Sequence, residues 1–253
     1  MRWLLLLLLA LLTAPLRAEE VVLGLSQDQV SISTNFDGSE IIIYGAIKRE
    51  TPIPESDPLQ VIVTVSGPLV PVTVRRKDRR FGIWINVDAV DVDAAPSFYA
   101  VATSAPWDEI ITNTEDLRHT VSIPRAIRSV GAPMGVDEPQ AFTDAVIRIR
   151  SNNGLYALKE GAVELRESTL FNTSIRMPAN LTEGDYATRI ILTRGGEVVS
   201  VYETGIDVRK VGLERWLFNL SREQPLLYGL LSLTIAIAAG WGASAAFRLM
   251  RSG

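Results

Sequence analysis

Apolar residues run unbroken near both ends of this chain and recur as short clusters between them. At the start, Arg2 precedes the apolar stretch Leu4 to Leu12, and the small residue Ala18 stands before Glu19 and Glu20. The stretch is too short for an ordinary spanning helix, so the pattern predicts a secretory signal peptide over 1–18. Near the other end, Pro225 to Phe247 carries no charge, and Arg248 and Arg251 follow at once. As a helix this stretch is about 34 Å long against a hydrocarbon core of about 30 Å. It predicts a transmembrane helix at 225–247 with a short basic tail, 248–253. The excess of Lys and Arg puts that tail on the cytoplasmic side, with Arg248 and Arg251 at the membrane interface.

Between the two ends, strand patterns dominate. Apolar or alternating runs occur at 21–26, 29–34, 40–47, 59–67, 69–77, 81–87 and 97–103, and again at 162–165, 169–177, 186–194 and 197–210. Gly, Pro and Asp separate them at intervals of about ten residues, the signature of antiparallel sandwiches. Several runs are apolar on both faces, which fits the core of two packed sheets. The expected class is mainly β, with one or two immunoglobulin-like sandwich units. Drawn as two, they cover 19–105 and 119–211, joined by a connector at 106–118. Residues 139–153 predict a helix inserted in the second unit: Phe142, Val146 and Ile149 share a face, Pro139 opens it and Gly154 closes it. Tyr186 stands two residues after Gly184 at a strand start, the placement of a tyrosine corner.

Residues 212–224 form an amphipathic stretch, with Leu213, Trp216, Leu217 and Leu220 on one helical face. Trp216 and Phe218 fall at the depth of an interfacial aromatic belt, so the segment is expected either to lie on the membrane surface or to extend the spanning helix.

Charge and composition narrow the classes further. Residues 19–224 hold 21 basic against 29 acidic residues, a formal charge of −8. Such a domain is a poor partner for nucleic acid. The chain has no cysteine, so disulfides and thiolate chemistry are excluded, and an exported domain of this kind suits a bacterial periplasm. His119 is the sole histidine, and no P-loop, G-x-G-x-x-G, G-x-S-x-G or H-E-x-x-H pattern occurs. The chain is read as a non-enzyme without cofactor or metal.

Four groups of residues still merit attention. Arg75, Arg76, Lys77, Arg79 and Arg80 concentrate positive charge at an expected hairpin between Val74 and Phe81. They serve either as a solvated turn that guards against edge pairing or as a docking surface for lipid head groups or an acidic partner. Asp88, Asp91 and Asp93 lie close together but are interleaved with valines, unlike a calcium loop. Trp84, Phe98, Tyr99 and Trp107 either fill the core or line a sugar-binding face. In the spanning helix, Ser232, Ala236, Gly240 and Ser244 recur every four residues. So do Thr234, Ala238, Gly242 and Ala246, the spacing that lets helices approach closely.

The segments GPLVPVTVRRKDRRFGIWINV, PSFYAV, GLYAL, ELRESTLFNTSIRMPANLTEGDY and VGLERWLFNL resemble those of a family of alphaproteobacterial transmembrane proteins with no assigned activity. The likeness covers nearly the whole chain and brings no catalytic residues. Members can be encoded beside a permease similar to sulfite exporters, so the resemblance implies a membrane-protein partner such as a transporter. The combined expectation is a single-pass protein of the bacterial inner membrane, with its N-terminal domain in the periplasm. It would act by contact with another membrane protein or by self-association through the helix. The alternative is a binding module for an envelope glycan or lipid.

Overall fold

The computed structural model describes residues 20–33, 36–48, 57–128, 138–211 and 213–251. The expected signal peptide lies outside them. The strands are β1 (Glu20–Leu25), β2 (Gln29–Ile32), β3 (Ser39–Lys48), β4 (Leu59–Ser66), β5 (Leu69–Arg80), β6 (Ile83–Pro96), β7 (Tyr99–Thr103), β8 (Tyr156–Lys159), β9 (Glu164–Arg166), β10 (Leu170–Met177), β11 (Gly184–Arg194) and β12 (Glu197–Lys210). The helices are α1 (Trp107–Ile110), α2 (Asn113–His119), α3 (Ile123–Ala126), α4 (Pro139–Asn152), α5 (Leu213–Glu223) and α6 (Pro225–Arg251). The chain divides into two compact units. One holds residues up to Val30 together with Asp37–Val208; the other holds Ser31–Phe36 and everything from Arg209.

The first unit is built on two sheets and a long ribbon. The four-stranded sheet has the order β1-β3-β10-β9, the six-stranded sheet the order β2-β12-β11-β4-β7-β8, and β5 pairs only with β6. In the four-stranded sheet one face is buried. Ile41, Ile43 and Ile47 of β3 and Phe171, Thr173, Ile175 and Met177 of β10 point inward, while residues between them face solvent. The six-stranded sheet is covered on both faces at its centre, in β4 and β7. In β4, Ile62 and Val63 are adjacent and both fully buried, so they must serve opposite faces. Such two-sided burial explains why β4 and β7 read as unbroken apolar runs. Each side chain of this kind contributes about 1.5–3 kcal/mol of transfer free energy.

One face of the six-stranded sheet forms a core with the helical segment. Ile62, Tyr99, Val101, Tyr156 and Ile191 pack there with Ile110, Ile111, Val121, Ile127 and Val146. β7 and β8 run parallel, Tyr99 beside Tyr156, which requires a crossover connection. Helices α1 to α4 supply it. The expected helix at 139–153 is α4, with Gly154 beyond its end at φ +70°.

Strand pairing decides between one sandwich and two. β3 pairs with β10, Ile43 opposite Thr173, and β4 pairs with β11, Val63 opposite Ile190. Both sheets therefore mix strands from either side of the expected boundary, and the body is one composite sandwich. The division into 19–105 and 119–211 is corrected accordingly. Each half contributes strands whose partners lie in the other, and neither could satisfy its own backbone hydrogen bonds. The expected connector, 106–118, holds α1 and α2 and packs into the core.

Tyr186 makes a tyrosine corner. Its ring is buried and its hydroxyl donates to the Thr182 carbonyl oxygen at 2.8 Å. Gly184, at φ +150°, turns the chain into β11 where a Cβ would meet the Pro68 ring at 2.9 Å.

In the second unit, the Val211 amide donates to the Ile32 carbonyl at 2.8 Å. Helix α5 then ends at Glu223 and α6 starts at Pro225, which fits a first helical turn because proline has no amide to leave unpaired. The break between them is the single residue Gln224, and helical bonds cross it, from the Gln224 amide to the Leu220 carbonyl and from the Tyr228 amide to the Gln224 carbonyl, each 3.1 Å. The segment Pro225–Ser244 of α6 is long and apolar enough to cross a membrane. The helix continues through Arg251, so the residues expected as a tail begin as helix.

Candidate functional site

The basic cluster does not lie in a turn, as the sequence pattern suggested. Arg75, Arg76, Lys77, Arg79 and Arg80 are residues of β5, and the turn is Phe81-Gly82. Both turn residues have positive φ, +51° and +84°. Two such residues in a two-residue loop give the twist that matches paired strands, and Asn-Gly is the usual choice. The register places Arg79 opposite Trp84, Arg80 opposite Ile83 and Lys77 opposite Asn86.

Arg76 is tied down. Its Nε donates to Asp88 Oδ2 at 2.8 Å, and its guanidinium lies 5.6 Å from the Phe142 ring centre on α4. From Lys77 to Asn86 every residue is exposed, Phe81 completely and Trp84 by two thirds. Arg80 has only an exposed pairing with Asp78 at 3.4 Å, a contact worth little in water.

The three aspartates of β6 are dispersed among different partners. Asp88 pairs with Arg76, and Asp91 accepts a hydrogen bond from the Thr73 hydroxyl at 2.7 Å. Among the described residues no three His, Cys, Asp or Glu side chains come together as a metal site. His119 lies 3.5 Å from Glu115 on the same helix, an i,i+4 arrangement. Of the aromatic set, Phe98 and Tyr99 belong to the core, Trp107 packs at its margin, and Trp84 stands on the ribbon. They share no groove.

Tyr99 is a structural node. Its hydroxyl donates to the Val121 carbonyl at 2.8 Å and lies 3.3 Å from Arg189 Nη2. Burial raises its pKa, and the Arg189 cation partly opposes the shift. Arg189 also donates to the His119 and Thr120 carbonyls at 2.8 and 3.1 Å, closing the C-terminal end of α2. In the groove of about 400 Å³ beside it, the lining groups Tyr99, Thr120 and Arg189 are bonded to one another.

The sequence pattern did not reveal the outer face of the four-stranded sheet. Val22, Ala46 and Leu170 form one rung across β1, β3 and β10; Gly24, Tyr44 and Asn172 form the next; Ile42 and Ser174 follow. Val22, Ile42, Tyr44 and Leu170 are each about half exposed. Polar residues that bond to each other surround them: Ser174 donates to Glu40 at 2.6 Å, and Arg166 pairs with Glu164 at 3.1 Å. The only sequence signal was that EIIIYGAI is apolar on both faces, which suggested two-sided burial. In fact only one face of β3 is covered.

In the C-terminal unit Trp216 and Phe218 are exposed, with Arg222 stacked 5.3 Å from the Phe218 ring centre. Ser232, Ala236, Gly240 and Ser244 are all exposed along α6, and a Cβ on Gly240 would meet nothing within 4 Å. The Thr234 hydroxyl bonds back to the Leu230 carbonyl at 2.8 Å, which satisfies it inside an apolar helix. Arg248 and Arg251 lie in the last turns of α6.

Residues 20–249 match the family described as "Putative transmembrane protein (Alph_Pro_TM)", and the chain belongs to that family. No curated protein matches the chain.

Proposed function

We propose that this transmembrane-family protein is a non-enzymatic, single-pass protein of the bacterial inner membrane. Its sandwich stands in the periplasm and acts through contact with another membrane protein, such as a transporter. The observation that carries this reading is the rung-ordered apolar patch of Val22, Ile42, Tyr44 and Leu170 on the open face of the four-stranded sheet. An apolar centre within a polar rim is the anatomy of a protein interface. Strand pairing fixes the backbone that carries them, so docking has no backbone to order and costs only side-chain entropy. The small-residue face of α6, with Ser232, Ala236, Gly240 and Ser244, supplies a second contact inside the bilayer. The non-enzymatic reading rests on the sequence, where His119 is alone and no catalytic pattern occurs. The rival reading, a glycan-binding face of Trp84, Tyr99 and Trp107, loses support because those rings do not converge.

The test is a pair of full-length variants, Tyr44→Asp and Leu170→Asp, purified from solubilised membranes. Both are expected to keep the wild-type circular dichroism spectrum and to lose co-purifying membrane proteins. If both retain every associated protein, the patch is not the docking face.

A further inference from the structure

The end of the β5–β6 ribbon has a composition that neither the sandwich nor the proposed partner face explains. Paired strands that rest on a protein surface alternate apolar and polar residues, since successive side chains face opposite ways. Here Ile83, Trp84 and Ile85 are consecutive, apolar and exposed, so apolar groups stand on both faces of the ribbon. The opposite strand carries Arg75, Lys77, Arg79 and Arg80, also exposed, against one carboxylate, Asp78, which pairs with Arg80 at 3.4 Å, within a domain that is acidic overall. The turn adds Phe81, fully exposed and held at φ +51°, a backbone conformation that L side chains rarely adopt. A bulky aromatic in that conformation gains nothing in water. Strain of this sort, kept where it brings no burial, points to use elsewhere.

We infer that the ribbon tip, residues 77–86, binds the interface of an anionic bilayer, with Phe81, Ile83, Trp84 and Ile85 among the upper acyl chains and Arg75, Lys77, Arg79 and Arg80 on the head-group phosphates. A flat protein surface would meet only one face of the ribbon, whereas a lipid interface surrounds both. The free end from Lys77 to Asn86 is about 13 Å long at the rise of a strand, enough for the 5–10 Å depth of interfacial insertion. Aromatic rings beside Lys and Arg match the two layers of that interface. Arg76 takes no part, because Asp88 and Phe142 hold it against the body. The chain is already confined to a bilayer by α6, so its local lipid concentration is high.

The native chain has no cysteine, so Phe81→Cys gives a unique attachment point for an environment-sensitive aromatic fluorophore that replaces the lost ring. Asn152→Cys, exposed at the end of α4, is the reference. Full-length protein is reconstituted in vesicles of phosphatidylcholine, with or without phosphatidylglycerol. With phosphatidylglycerol present, the label at 81 is expected to be quenched by a shallow lipid-borne quencher and shielded from aqueous iodide. The label at 152 should behave in the opposite way. Reversing charge with Arg79→Glu and Arg80→Glu should weaken the lipid quenching about tenfold, as should high salt. Iodide access at position 81 in every lipid would overturn the assignment, as would lipid quenching indifferent to phosphatidylglycerol. Shielding from both quenchers would also overturn it and would assign the tip to a contact with protein, the chain's own body or a second copy.

Discussion

The Tyr186 hydroxyl donates to the Thr182 carbonyl oxygen at 2.8 Å, pinning the corner at which the chain enters β11. The ring packs against Phe98, 6.0 Å between centroids, so one side chain ties the corner to the core. Tyr186→Phe keeps that packing and deletes the bond. A loss of about 1–2 kcal/mol is expected, read as a lower urea midpoint with an unchanged slope. No change would mean that water replaces the bond at no cost.

Three buried tyrosines give the fold an alkaline limit. Tyr99, Tyr156 and Tyr186 all have pKa values raised above 10.0, in each case chiefly by burial, with the Arg189 and Arg150 cations opposing the shift at Tyr99 and Tyr156. Below pH 10 these phenols are protonated in both folded and unfolded chains, and their contribution is constant. Above it the unfolded chain loses protons that the folded chain keeps, so stability falls as pH rises. Urea titrations at successive pH values should show a decline starting near pH 10, shallower in Tyr99→Phe. A curve flat to pH 11 would contradict this.

Ile42 and Ile43 are neighbours with opposite roles. Ile43 is fully buried between the sheets and Ile42 is half exposed on the outer face. Ile43→Ala should cost about 2–5 kcal/mol, and Ile42→Ala under about 1 kcal/mol. Equal costs would mean that both faces of β3 are covered.

Phe81→Asn exchanges a strained residue for one that tolerates left-handed backbone and restores the usual Asn-Gly turn. A stability gain of about 1 kcal/mol is expected, measured by thermal or urea unfolding. The same variant should lose the lipid contact inferred above. A destabilised variant would show that the Phe81 ring already makes a favourable contact within the protein.

Orientation can be read with a reporter that is active only in the periplasm. Fused after Val211 it should be active, and fused after Gly253 silent. The reverse pattern would put the sandwich in the cytoplasm and remove the proposed setting for its partner.

What the sequence determined by itself was local. Eleven apolar runs placed eleven of the twelve strands and missed the short β8, the spacing of Phe142, Val146 and Ile149 identified α4, and an uncharged run of spanning length marked α6. Gly184 and Tyr186 announced the corner because turn chemistry depends on residues two or three apart. Pairing was not legible, because nothing near Ile43 specifies Thr173 as its partner; only the global burial of two sheets selects that register. For the same reason the open face of β3 was hidden: EIIIYGAI is apolar on both sides, and coverage of one side alone is a tertiary fact. The ribbon was misread at its turn because Phe-Gly lacks the usual signal and the charges of RRKDRR suggested a loop. Pairing with β6 keeps those residues extended to Arg80. Thus segment type followed from side-chain pattern and backbone chemistry, whereas which strands meet, which faces stay open and which charges stand free of partners were decided by long-range packing.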